Sequence, residues 1–98
     1  MRIEYAESFY ADFEEKLAYF KNFDKQEGTV LELKLFKRIS KIKSSLLLFP
    51  NMGRKVGEVH VLSLADSAQD IFRNIELRYM IHEEIIVFLH LFHTKQSR

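Results

Sequence analysis

Residues 46–56 read Leu-Leu-Leu-Phe-Pro-Asn-Met-Gly-Arg-Lys-Val, and the rhythm of apolar residues changes across them. Upstream, Leu35, Ile39, Ile42, Leu46 and Phe49 recur every three or four positions, which is the spacing of one helix face. Downstream, the period falls to two, which is the spacing of a strand. Pro50 sits at the change. Its ring disfavours helical geometry at the preceding residue and it lacks an N–H, so a helix must end there. Pro50-Asn51-Met52-Gly53 is then a turn. The spacing predicts a helix over 30–48, with Thr29 and Glu32 at capping-box distance.

Upstream of that helix, Phe9, Phe13, Leu17 and Phe20 form a second helical stripe, with Asp12, Glu14, Glu15, Lys16 and Lys21 over the rest of the surface. A first helix is expected over 8–24, with Ser8 as its N-cap. Residues 22–28 are polar and end in Gly28, so they read as the connection. Two amphipathic helices joined by a short loop pack as an antiparallel hairpin. Before them, 2–5 alternate as Arg-Ile-Glu-Tyr, the pattern of a short strand.

Beyond the turn, 59–64 is a candidate strand and 65–69 a small, polar loop. In 71–82, Ile71, Arg73, Ile75, Leu77, Tyr79 and Ile81 share one strand face. Phe72, Asn74, Glu76, Arg78, Met80 and His82 share the other. His82-Glu83-Glu84 fits a hairpin turn, although it lacks the Gly or Asn of the tightest types. Residues 85–92 are apolar on both faces, as in a central strand or one covered by a partner. Regular alternation puts Ile86, Phe88 and Phe92 opposite Ile85, Val87, Leu89 and Leu91. The expected fold is α+β: a single two-layer domain over 1–98, ordered β-α-α-β-β-β, with the helix hairpin on an antiparallel sheet.

Composition narrows the function. The formal charge is +1 over 98 residues, so only the placement of charge can argue for nucleic-acid binding. No Cys is present, which excludes disulfides, thiolate metal sites and a Cys nucleophile, and suits a reducing cytosol. The longest purely apolar run is 85–89, far short of the roughly 20 residues of a membrane-spanning helix. The N-terminus has no apolar signal core. A soluble, cytoplasmic protein is expected.

In-line cleavage of RNA needs a base, an acid and cations near the scissile phosphate. Arg54, Lys55, Arg73, Arg78, Tyr79, His82, His90, His93 and Lys95 supply the types. They do not converge on pattern alone: Arg78 and Tyr79 alternate in face, and so do His90 and His93. Two His three apart on a strand cannot share one ion, and neither Cys nor a nearby carboxylate pair completes a set, so no metal and no cofactor are expected. Tyr79 shares its face with Ile75, Leu77 and Ile81, which favours the core. Lys34, Arg38 and Lys41 fall on one side of the second helix. They make either a solvated face or a basic surface for nucleic acid or an acidic partner segment. The surplus apolar face of 85–92 calls for a cover: a partner, the chain's own 65–70 loop, or a second copy.

Several of these segments resemble one family. Asp12-Phe13, Leu17 and Tyr19-Phe20 look like the start of the first helix in ParE-type toxins. Residues 46–56 are similar to their Leu-x-x-x-Pro-x-x-Gly-Arg-x-Val segment. Tyr79-Met80-Ile81, the 85–92 run, His93 and Lys95 resemble their closing strands and basic tail. Met80 stands where an Arg often follows the Tyr, and the segment between Arg54 and Tyr79 is longer than the pattern. The resemblance implies the toxin of a type II toxin–antitoxin pair. A ParE-like toxin would bind DNA gyrase, through Arg54, Lys55, Arg73, His93 and Lys95. A RelE-like relative would cut ribosome-bound messenger RNA, with Arg54, Arg78, Tyr79, His93 and Lys95 as catalytic groups. In both, an antitoxin would cover Ile86, Phe88, Phe92, Lys34, Arg38 and Lys41. A third alternative is an inert relative that only binds its partner.

Overall fold

The computed structural model describes residues 1–22 and 25–94, the side chains of 25–28 excepted. The elements run β1 (Arg2–Tyr5), α1 (Glu7–Lys21), α2 (Lys25–Leu48), β2 (Arg54–Val56), β3 (Val59–Ser63), β4 (Ile75–His82) and β5 (Ile85–His93). The strands form one five-stranded sheet in the order β1-β5-β4-β3-β2. β2 to β5 make an antiparallel meander, and β1 returns to pair parallel with β5.

Both helical stripes face the sheet. Leu35, Ile39, Ile42 and Leu46 from α2 and Phe9 and Phe20 from α1 are buried against Ile75, Leu77, Tyr79, Ile86 and Phe88. The helix hairpin therefore covers one sheet face, as the two apolar periods require. Phe49 departs from its stripe. It lies beyond the last helical turn and is 67% exposed, because Pro50 turns the chain away from the sheet.

Four boundaries differ from the sequence pattern. Helix α2 starts at Lys25, so Gly28 and Thr29 lie inside it and Thr29 is not its N-cap. Ala6, not Ser8, is the N-cap of α1, and it makes no side-chain cap bond. A strand forms at Arg54–Val56, paired with β3 through a tight turn in which Gly57 takes φ 64°. Residues 71–74 are turn rather than strand, since Asp70 caps them: its Oδ1 accepts from the Phe72 N–H at 2.9 Å.

The irregularity in β5 decides which residues reach solvent. Tyr79 pairs with Phe88 and Arg78 with His90, so Leu89 is an extra residue, a β-bulge. A one-residue insertion inverts the alternation beyond it. Leu91 therefore enters the core, and Phe92 moves to the face away from the helices. β1 pairs only with 85–88, which leaves the bulged half of that edge unpaired. Helix α1 covers it. Ser8 Oγ donates to the Leu89 carbonyl at 2.6 Å, and Asp12 Oδ2 accepts from the Leu91 N–H at 3.1 Å. An edge that would otherwise template another strand is satisfied by two side chains one helical turn apart.

Candidate functional site

The helix-free sheet face carries a line of basic side chains. Arg54 lies opposite Val61, Val61 opposite Arg78, and Arg78 opposite His90. Directly opposed residues share a face, so Arg54, Arg78 and His90 form one row across the sheet. The Arg78 guanidinium sits 4.1 Å above the Phe92 ring, a stacking that holds a planar cation flat against the sheet. His90 is 49% exposed at its side chain, and its Nδ1 lies 3.0 Å from Asp12 Oδ2. A carboxylate on one ring nitrogen fixes the imidazole and leaves the other nitrogen to solvent. This row can grip an oxyanion or the acidic side chains of another protein. The bulge creates it, because regular alternation would turn His90 to the helix side.

Tyr79 lies on the opposite face and is fully buried. Its hydroxyl donates to the Pro50 carbonyl at 2.8 Å and accepts from the Gly53 N–H at 3.0 Å. Burial pushes the phenol above its ordinary value of 10.0, against the smaller lowering by the Gly53 N–H. Gly53 is required here, because a Cβ would lie 2.8 Å from the Tyr79 hydroxyl. The turn segment and the penultimate-strand Tyr therefore meet as one structural junction. The His60 ring stacks on Tyr79 at 5.0 Å. A Tyr so placed cannot join Arg78 in catalysis.

The remaining candidates scatter. Lys55 is opposite His60 and so faces away from Arg54. Arg73 is exposed in the turn before β4. His93 is half-buried on the helix side, its ring 6.4 Å from Tyr19. Lys95 lies outside the described residues. Ile86 and Phe88 are fully buried in the core, so neither can meet a partner, and of that set only Phe92 reaches the open face. Lys34 and Lys41 are exposed on α2. Arg38 is spent within the chain: Nη1 donates to the Leu64 carbonyl at 2.6 Å and to Asp70 Oδ2 at 2.7 Å.

Asp70 organises the 65–74 loop around that guanidinium. Burial raises its carboxyl, but the N–H groups of Phe72 and Asp66 and the Arg38 charge outweigh it, and the net direction is below the ordinary 3.8. Sequence reading missed Asp12 as an orienting residue, His90 as an exposed one and Asp70 as a latch. The one available signal was Ser8 and Asp12 at i and i+4, two polar residues on one line of an otherwise aromatic helix face.

Exposed apolar side chains gather where α2 ends. Leu48 is 74% exposed and Phe49 67%, with Leu47 and Met52 beside them in sequence. Among the described residues no helix is long and apolar enough to cross a membrane.

No family model and no curated protein matches the chain. Among solved structures it is similar to one described as the chromosomal ParDE TA system from P. aeruginosa. The two are 16% identical, with a TM-score of 0.71 over 95% of this chain and 95% of that one. The fold is therefore the ParE-like one that the motifs implied: a helix hairpin on a mostly antiparallel five-stranded sheet.

Proposed function

We propose that this chain is the toxin of a type II toxin–antitoxin pair, acting in the cytoplasm by binding DNA gyrase and held inactive by a cognate antitoxin. The end-to-end fold match to a chain of a toxin–antitoxin system carries the reading. Two surfaces support it. The apolar ledge of Leu47, Leu48, Phe49 and Met52 is of the kind that an antitoxin shields. The row of Arg54, Arg78 and His90 offers a target contact on a rigid sheet. Binding rather than catalysis is favoured because Tyr79 and His93 face away from that row, so that among the described residues none of the sequence-predicted acids stands beside a base.

One observation favours the second reading, a RelE-like endonuclease acting on ribosome-bound messenger. His90, oriented by Asp12 and paired with Arg78, is a base beside a cation. Induced expression should arrest growth, and co-expression of an adjacent short reading frame should relieve it. Purified protein should block gyrase supercoiling. Cutting of ribosome-bound messenger that His90→Ala abolishes, with supercoiling untouched, would replace the first reading by the second. Absence of any growth defect on induction would leave the inert relative.

A further inference from the structure

We infer that the groove between α2 and the 65–74 loop is a docking site for an acidic, amphipathic peptide segment. The inference rests on the toxin reading only in expecting a protein partner. The groove encloses about 480 Å3, with Lys34, Lys37 and Lys41 on its helix wall and Ile71 on its loop wall. Ile71 is 51% exposed, an unusual place for an isoleucine when Phe72 beside it is buried in the core.

The charges in the groove divide into two groups. Arg38 is consumed by Asp70 and the Leu64 carbonyl, and its remaining nitrogen sits 3.4 Å from Asp66. Lys41 also reaches Asp66, at 3.4 Å. Both loop carboxylates are thus already paired with cations of α2, Asp70 under the loop and Asp66 at its exposed rim. Lys34 and Lys37 have no carboxylate within ion-pair distance among the described residues, and they stand one helical turn apart at the groove mouth. What remains for a ligand is two ammonium groups facing one exposed aliphatic side chain. An acidic segment with an apolar residue between its carboxylates complements that arrangement. Nucleic acid fits less well. Among the described residues the one aromatic ring lining the groove, Phe72, is buried beneath the Arg38 guanidinium at 5.3 Å and offers no base a stacking surface.

The test uses purified full-length protein and three labelled probes: a peptide alternating Glu and Leu at helical spacing, the same peptide with Gln for Glu, and an oligodeoxyadenylate of similar length. Fluorescence anisotropy reads binding at low and high salt. The Glu peptide should bind, weaken with salt, and lose at least about tenfold on Lys34→Glu with Lys37→Glu. Ile71→Ser should weaken it severalfold. Arg2→Glu with Lys55→Glu changes the charge equally, on β1 and β2 away from the groove, and should leave binding intact. The variants are at exposed positions, and circular dichroism checks their fold. Equal binding of the Gln peptide, retained binding in the Lys34/Lys37 variant, equal loss in the Arg2/Lys55 variant, or tighter binding of the oligonucleotide would each overturn the inference. Growth arrest on induction is scored separately, so a failed groove does not count against the toxin reading.

Discussion

Two of the polar ties between α2, the turn that follows it and the loop and strands beyond are built from opposite chemistry. At the end of α2, the buried Tyr79 hydroxyl bonds the Pro50 carbonyl and the Gly53 N–H, a neutral group tied to neutral backbone. Midway along α2, Arg38 meets Asp70, and the carboxylate also takes the Asp66 and Phe72 N–H groups. The neutral tie sits in a dry core, where ionisation is opposed. The charged tie sits at the rim, where the ions stabilise each other and a loop without regular structure. Tyr79 is raised above 10.0 and Asp70 lowered below 3.8. One tie is thus exposed to alkali and the other to acid. A small protein divides the work: an uncharged junction fixes the fold, and an ion pair fixes a loop that a partner can read.

The largest expected effect tests the neutral junction by crowding it. Gly53→Ala places a Cβ 2.8 Å from the Tyr79 hydroxyl and 3.0 Å from Cε1. The ring is fixed in the core, so the backbone must give, and a loss of about 3 kcal/mol in urea unfolding is expected. Adding Tyr79→Phe removes the nearest atom, so the double variant should be less destabilised than the sum of the singles. Simple additivity would mean that the two do not meet.

Asp70→Ala breaks the charged tie. It strands the Asp66 and Phe72 N–H groups and leaves Arg38 half-paired, for a loss of about 2 kcal/mol near neutral pH. The acid dependence comes from the direction of the shift. A lowered carboxyl contributes stability that is present above 3.8 and disappears as pH falls through the folded-state value below it. Wild type should therefore lose stability faster than Asp70→Ala below that point. Parallel acid limbs would remove Asp70 from the account.

Tyr79→Phe leaves the ring and deletes the hydroxyl. The Gly53 N–H and Pro50 carbonyl lose a buried partner, for about 1–2 kcal/mol. A raised phenol contributes stability that is complete below 10.0 and lost as pH rises through the higher folded-state value. Alkaline unfolding of wild type should thus be steeper than that of the Phe variant, and acid unfolding should not distinguish them.

How much of the molecule is legible in its sequence depends on which physical signal each part leaves. The helix hairpin is readable because Leu35, Ile39, Ile42 and Leu46 keep a 3.6 period that only one buried face explains. The end of α2 is readable because Pro50 breaks helices wherever it falls. The burial of Tyr79 is readable from its neighbours in face, yet its bonds to Pro50 and Gly53 need coordinates, since nothing local pairs residues that far apart. The bulge at Leu89 leaves no mark in an unbroken apolar run, so regular alternation puts Phe92 and Leu91 on the wrong faces. Asp70 is hidden for a related reason: an Asp in a polar loop reads as turn chemistry until the guanidinium beneath it is seen. The candidate site is therefore the least legible part, because the row of Arg54, Arg78 and His90 exists only through strand register.

The smallest expected effect supplies the reference that the two ties need. Glu83 takes φ 56° in the loop between β4 and β5, a left-handed conformation that strains a residue with a Cβ. Glu83→Gly should relieve that strain, with a gain of about 0.5–1 kcal/mol, reduced by the extra freedom that glycine gives the unfolded chain. The backbone strain it relieves does not titrate, so the gain should run nearly level across the range where the other two variants diverge. Thermal unfolding at acid, neutral and alkaline pH would show it. If the Glu83 variant changes slope as strongly as Asp70→Ala or Tyr79→Phe, the pH dependence belongs to the whole charge distribution rather than to two separate ties.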